Sequence, residues 1–363
     1  MRQLILIIFL SVVISQAANA QGCVAIRSTG ASSTMQMPHH DQSKWQFNAN
    51  YRYFKSFRHF KGKEEQEERV EQGTDVRNFS NALDISLIRQ FTNRFSMAVN
   101  LPLLANRRSS LYEHGLVNGV YVKKERHSTS SYGVGDMRLS AYYWLLDPMK
   151  SMKGNIQLGV GIKFATGDYN YKDYWWNVGP NGTKELRTVD QSIQLGDGGT
   201  GFTVEMNSYY SFTPALSIYA NGFYLINPRD VNGTRTYRET LSPALANEDI
   251  MSVPDQYMAR AGFNYMKGRW GFTGGMRLDG IPVYDLVGQS NAFRRPGYVI
   301  AVEPGISYQK GKNFFYLNVP VALVRNRTQS VTDKEMTEQS GSYRHGDAAF
   351  ADYVINLGYS VKF

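Results

Sequence analysis

Cysteine is almost absent. Cys23 is the only one in 363 residues, so the chain can close no intramolecular disulfide and build no thiolate metal cluster. Histidine is scarce too: His39, His40, His59, His114, His127 and His345 all fall in the N-terminal segment or in long polar connections, none on a strand-patterned stretch. Beyond Ile14 no run approaches ~20 consecutive apolar residues, which excludes an ordinary transmembrane helix there. A phosphate-cradling loop is missing as well, because the glycines of Gly196-Asp-Gly-Gly-Thr-Gly201 lead into a strand pattern rather than a helix.

What is present begins with an address. Arg2 precedes the apolar run Leu4 to Ile14, and Ala18-Asn-Ala20 offers the small-x-small site that a signal peptidase cuts. Residues 1–20 therefore read as a signal peptide, with a mature chain from Gln21. Cys23 is open to lipidation or remains a free thiol, and Ala20-Gln21 before it match the lipobox poorly. The segment 21–43 reads as periplasmic, or as a plug long enough to enter a lumen.

From Trp45 onward the dominant signal has period two. In the last eleven residues Tyr353, Ile355, Leu357, Tyr359, Val361 and Phe363 share one face, while Asn356, Gly358, Ser360 and Lys362 share the other. Such a strand wants hydrocarbon on one side and water on the other, and its terminal aromatic resembles the sorting signal of bacterial outer-membrane barrels. About twelve segments over 44–363 repeat the alternation. Their links alternate as well. Short turns follow the even strands, as at 91–94, 147–154, 213–215, 267–269 and 309–312, and long glycine-dotted loops follow the odd ones. An all-β, up-and-down antiparallel transmembrane barrel shows this segregation, with the short turns periplasmic. An exported β-sandwich is not expected to sort its loops so strictly. The aromatic content of 13%, with 24 tyrosines, fits interfacial girdles.

The net charge of +9 suggests an anionic partner until the charges are placed. Charges nearly cancel within the long loops and among inward strand positions. The surplus lies in the short turns, at Arg89, Arg94, Lys150, Lys153, Lys267, Arg269, Lys310 and Lys312. A basic periplasmic rim near anionic headgroups accounts for it, and no basic-aromatic face suited to nucleic acid emerges. The inward phase collects Arg52, Asp84, Arg138, Lys163, Glu205, Arg260, Arg277, Glu303, Asp352 and Lys362, with asparagines between them. These side chains either pair across a closed interior or line a water-filled conduit.

Two loops carry distinctive side chains. Loop 166–199 holds Tyr169, Tyr171, Tyr174, Trp175 and Trp176, which form a lid or an arene- or sugar-contacting surface, or fold over the mouth and bury themselves. The run Lys61 to Arg69 reads as a solvated tip or short helix, and Glu64, Glu65, Glu67 and Glu68 are weak evidence for a cation site. A barrel phospholipase with a Ser-His pair would need its histidine on a strand, so no catalytic residue, cofactor or metal is assigned.

Tyr132-Gly-Val-Gly-Asp-Met-Arg138, Leu195-Gly-Asp-Gly-Gly-Thr-Gly201 and the closing strand together resemble the outer-membrane transporters of the MetA-pathway of phenol degradation type. The fatty-acid transporter barrels are a more distant likeness. The first resemblance implies an outer-membrane channel of a Gram-negative cell that passes small molecules, hydrophobic or aromatic ones included. Its expected partners are membrane lipid, a small solute and the barrel-assembly machinery acting on the strand ending at Phe363. The alternative is a closed structural barrel whose long loops bind a partner.

Overall fold

The computed structural model describes residues 44–114, 125–236 and 247–363, with strand backbone at Leu116–Val117 and Val120–Tyr121 and with positions 241 and 245. The signal peptide 1–20, the segment 21–43, Cys23, His39 and His40 lie outside the described residues. Twelve strands follow one another: β1 (Trp45–Lys61), β2 (Arg77–Gln90), β3 (Phe95–Ser110), β4 (His127–Val134 and Arg138–Trp144), β5 (Gly154–Lys163) and β6 (Gly201–Ser211). Then come β7 (Leu216–Ile226), β8 (Gln256–Lys267), β9 (Trp270–Ile281), β10 (Gly297–Val302 and Gly305–Lys310), β11 (Asn313–Asn318 and Val321–Asn326) and β12 (Ala348–Lys362). Each pairs antiparallel with the next, and β12 returns to β1 from Gln46↔Lys362 to Phe60↔Ala348. The chain is a closed twelve-stranded antiparallel barrel.

The alternation sorts the two faces. Outward Val160, Val204, Phe263 and Leu357 are each more than half exposed, whereas inward Asn207, Arg260 and Asn356 are 5% exposed. Two of the short turns need glycine. Gly268 and Gly311 take φ of 62° and 60° at the first turn position, where a left-handed residue matches the twist of the hairpin. Inside, Tyr142, Tyr219 and Tyr316 each lie over the glycine paired opposite them, Gly159, Gly262 and Gly358. A Cβ at Gly358 would stand 1.9 Å from Tyr316 Cε1, so glycine makes the recess that the ring fills.

Three features depart from the sequence reading. Strands run further toward the long loops, because above the hydrocarbon they no longer need an apolar face. As a result His59 lies in β1 and His127 opens β4, not in loops. Lys55, Arg77 and Arg107 point outward on these extensions, so charges do occur on the outer face, confined there to strand ends. Finally, β10 and β11 are interrupted at Pro304 and Pro320, which have no amide to donate. Neighbours pass the ladder on through the proline carbonyls, Val319 N to Pro304 O and Val354 N to Pro320 O, both 3.0 Å.

Met276 sits on the outer face of β9, 44% exposed. Met276→Arg should cost ~2–4 kcal/mol and lower the yield of folded barrel. Gly358→Ala should cost ~1–3 kcal/mol by displacing the Tyr316 ring, and Tyr316→Ala in the same chain should relieve the clash. Urea unfolding in lipid vesicles checks both. Equal midpoints for the wild type and Gly358→Ala would refute the ring-in-recess account.

Candidate functional site

The barrel interior is tied together by polar side chains. Asn207 Nδ2 donates to Gln157 Oε1 (3.1 Å), Asn221 Nδ2 to Asn207 Oδ1 (2.9 Å) and Arg260 Nε to Asn221 Oδ1 (3.0 Å). Glu303 continues the chain, 3.5 Å from Arg260 and 3.6 Å from Arg277, and accepts from Asn318 Nδ2 at 3.0 Å. This belt links β5 through β11. Across the β12–β1 seam, Tyr316 of β11 donates to Asn50 Oδ1 at 2.7 Å, and on the far side of β1 Arg52 meets Asp84 of β2 at 3.2 Å.

Arg52, Asp84, Arg138, Lys163, Glu205, Arg260, Arg277, Glu303 and Asp352, singled out from the sequence for the interior, each have an opposite charge within 4 Å. Arg138 lies 3.8 Å from Glu205 and over the Phe223 ring, and Tyr142 donates to Glu205. Lys163 contacts Asp197 and stands 3.8 Å from Asp136. Asp352 takes Arg58 at 3.1 Å and Arg325 at 3.7 Å, and Arg277 is held by Asp279 at 2.6 Å. Sequence reasoning missed five of these partners. Asp279 and Arg58 are on the same inward phase, on strand ends beyond the segments read as strand, whereas Arg325 has the parity of outward Val321 and Leu323 and is turned inward by the register shift between Ile300↔Val324 and Ala301↔Ala322. Asp136 and Asp197 sit inside the two glycine motifs, which converge on Lys163.

Loop 164–200 closes the long-loop end. Asp136 clamps its neck, because Oδ1 accepts from Gly167 N (2.9 Å) on the outgoing arm and Oδ2 from Asp197 N (3.1 Å) on the returning one. The hairpin Lys172–Trp175 with Glu185–Thr188 lies beside the upper half of β4, which β5 is too short to cover, and Asp173 accepts from Ser130 N at 2.6 Å. Trp175 is 1% exposed against His114, and Trp176 stacks on His127 at 4.6 Å with Lys184 on its ring. Tyr171 meets Tyr132, and Tyr169 meets Arg229. Tyr174, at 56% exposure, is the open one of the five.

The loop's inner tip is pinned by charge. Asp190 lies 3.4 Å from Arg108 of β3 and 2.8 Å from Arg295 of the loop 282–296, and it caps the turn Gln191–Ile193 through Ser192 N. Gln191 Nε2 donates to Ser252 O and Phe293 O, and Ser131 Oγ to Ile193 O. Burial alone would raise the Asp190 carboxyl, but the two guanidiniums hold it well below the usual carboxylate range. Nearby, Arg294 and Asp285 form a fully buried pair at 2.6 Å.

Two histidines moved from the periphery to structural posts. His59 Nε2 accepts from Val76 N at 2.9 Å, which leaves Nδ1 as the protonated nitrogen donating to Asp347 at 2.7 Å. Both ring nitrogens are thereby occupied, and neither faces a serine hydroxyl. His114 Nδ1 accepts from Trp176 N at 3.2 Å. Burial, then His127 and Arg108, push its pKa down to about 4, so the ring is neutral. Among the described residues no cluster of three metal-ligating side chains occurs; Glu65 binds Arg58 instead.

Beneath the loop tip lies a cavity with about 200 Å³ open to water. Arg52, Asp84, Arg138 and Lys163 line one part of it, and Phe54, Phe223, Leu225 and Phe350 another. It can hold a small molecule with an apolar body and a polar end.

No family model matches the chain and no curated protein does. Solved structures do. An outer membrane channel from Pseudomonas putida F1 superposes with a TM-score of 0.55 at 13% identity, over 90% of this chain and 98% of that one. The Pseudomonas putida toluene transporter TodX gives 0.46 at 11% identity, over 96% of this chain and 97% of its own. The first likeness is one of fold.

Arg277→Leu should destabilise by ~3–5 kcal/mol, because Asp279 and Glu303 lose a buried partner. Arg277→Lys should recover part of that in urea unfolding. Acid should loosen the cap in two stages. His114 has a depressed pKa, so its contribution is complete above about pH 6.5 and is lost toward pH 4, on the order of 3 kcal/mol. Asp190 is also depressed and contributes above about pH 4, losing its share below that. Hydrogen exchange of the Trp176 amide should therefore rise between about pH 7 and pH 4.5 beyond its intrinsic change, and His114→Gln should remove that rise.

Proposed function

We propose that the chain is an outer-membrane channel that passes small molecules, hydrophobic and aromatic ones included, and that it is closed in the present state by the loop 164–200. The supporting observation is a cavity of mixed apolar and charged walls inside a closed barrel, covered by a loop tip that two arginines hold through one carboxylate. The fold of a known outer membrane channel supports the same reading. So does the resemblance to the MetA-pathway transporters, whose two glycine motifs here meet at Lys163. In this reading the short turns are periplasmic, residues 1–20 direct export, and the assembly machinery receives the strand ending at Phe363. Inward Arg52, Asp84, Arg138, Lys163 and Glu205 line the upper conduit, and Arg260, Arg277 and Glu303 its lower constriction.

A second reading, a closed barrel working through its loops, draws on the belt. Seven adjacent strands are cross-linked by side chains there, and Tyr316 bridges to β1. Planar-bilayer recordings separate the two. Asp190→Asn should detach the loop tip from Arg295 and from Arg108, which stays on Glu113, and increase open time over the wild type. If neither this variant nor a chain lacking 21–43 gives channel events, the channel reading fails and the closed barrel stands.

A further inference from the structure

On the outer face, near the long-loop end, one cross-strand row reads Lys55, Phe79, Arg107, Ser130 through the registers Lys55↔Phe79, Phe79↔Arg107 and Arg107↔Ser130. Both cations lie against the same ring, Lys55 Nζ at 5.8 Å and the Arg107 guanidinium at 4.7 Å from the Phe79 centroid, and Lys55 also covers Phe57 at 4.3 Å. Among the described residues neither cation forms an ion pair. One row further out the situation differs: Arg77 is held by Asp75, which also takes Arg126. Asp173, the carboxylate nearest the Ser130 end, accepts from that residue's amide. Two positive charges without an ion pair among the described residues thus stand on the barrel wall within one residue row.

Their height is set by the rows below. From Trp45 to Tyr53 the outward residues of β1 and their partners are mainly apolar, a span of roughly 26 Å along a tilted strand and about 20 Å across the membrane. Arg89 over Trp45 marks the short-turn boundary. Tyr53 and Tyr132 mark the other, sharing the row just under Lys55 and Arg107. Directly beside the cations is a shallow outward hollow lined by Tyr53, Phe79, Ala105, Arg107 and Tyr132. A ligand that fits carries paired anionic groups at headgroup level and hydrocarbon immediately below.

We infer that this row is a binding site for a phosphorylated glycolipid of the outer leaflet, with Lys55 and Arg107 meeting its phosphates and the Tyr53–Tyr132 hollow receiving the start of an acyl chain. The basic surplus of the short turns faces phospholipid on the opposite side, whereas this pair faces the leaflet whose lipid bears phosphate on sugar. The inference rests on the outer-membrane orientation proposed above and not on solute passage.

The test uses the full chain, purified and delipidated in detergent, with bisphosphorylated lipid A as probe and native mass spectrometry or a binding titration as readout. The double variant Lys55→Gln, Arg107→Gln should bind roughly tenfold or more weakly, and Lys55→Arg, Arg107→Lys should bind as the wild type does. The periplasmic-rim control Lys267→Gln, Arg269→Gln should bind unchanged. Dephosphorylated lipid should bind weakly to the wild type, with no further loss in the double variant, and millimolar inorganic phosphate should not compete. Heat-dependent gel mobility confirms that each variant is folded. Equal affinity of the folded double variant and the wild type would overturn the inference, as would phosphatidylglycerol displacing lipid A at equal concentration. Membrane fractionation tests the orientation separately: a chain absent from the outer membrane undoes the premise, while one present there that binds no lipid A undoes this inference alone.

Discussion

A sheet placed in hydrocarbon cannot leave an edge, because each unpaired amide or carbonyl there would cost several kcal/mol. The rest of this structure follows from closing β12 onto β1. Closure turns one sheet face into an outer wall and the other into an enclosed interior, and period-two alternation then assigns every strand side chain to one solvent or the other. The even strand count brings both ends of the described barrel to the short-turn side, so that side has five tight links and the other receives the long loops.

Enclosure changes what a charge must do. Outside the interior a lysine or arginine can be solvated, but within it Arg260 and Glu303 are 5% and 2% exposed and depend on each other and on amide groups. Charge balance inside the barrel is thus a folding requirement before it is a functional property. Inward tyrosines do comparable work at lower electrostatic risk: a ring over a facing glycine fills space and offers one hydroxyl, as Tyr316 does to Asn50. Where a strand stops early, as β5 does at Lys163, the exposed flank of β4 recruits a hairpin from the nearest loop, and that recruitment starts the loop on its path into the mouth.

Which parts of this could be read from the sequence follows from the range of the forces involved. Strand phase is local and imposed by two solvents, so Phe263 and Arg260 can be sorted without knowing any partner. Beyond the bilayer edge the apolar face is no longer demanded. Lys55 and Ser56 break the pattern there, and His59 looks like a loop residue although β1 continues to Lys61. The loop tip is harder still, since Asp190 meets Arg108 and Arg295 from opposite directions along the chain and neither pairing leaves a local signature. The glycine motifs were visible as motifs. That Asp136 and Asp197 share Lys163 was not, because the convergence depends on the strand register that brings β4, β5 and β6 together.

In the channel proposed above, the same ion pairs that let the interior fold would also limit what can cross it. A solute entering beneath the loop tip meets Arg138, Lys163 and Asp84 already engaged, so it gains little by offering a full charge that must displace an existing partner. An apolar body laid along Phe223, Leu225 and Phe350 displaces no ion pair, and a single hydroxyl or amide can share an acceptor at the polar wall. Selectivity in such a channel would come from the cost of breaking the network, not from a dedicated binding residue. Lower down, Arg260, Arg277 and Glu303 form a linked group in which removing one charge strands another. Passage there, in the proposed channel, would require side chains to move together while keeping their pairs, which ties the width of the conduit to the cohesion of the barrel that surrounds it.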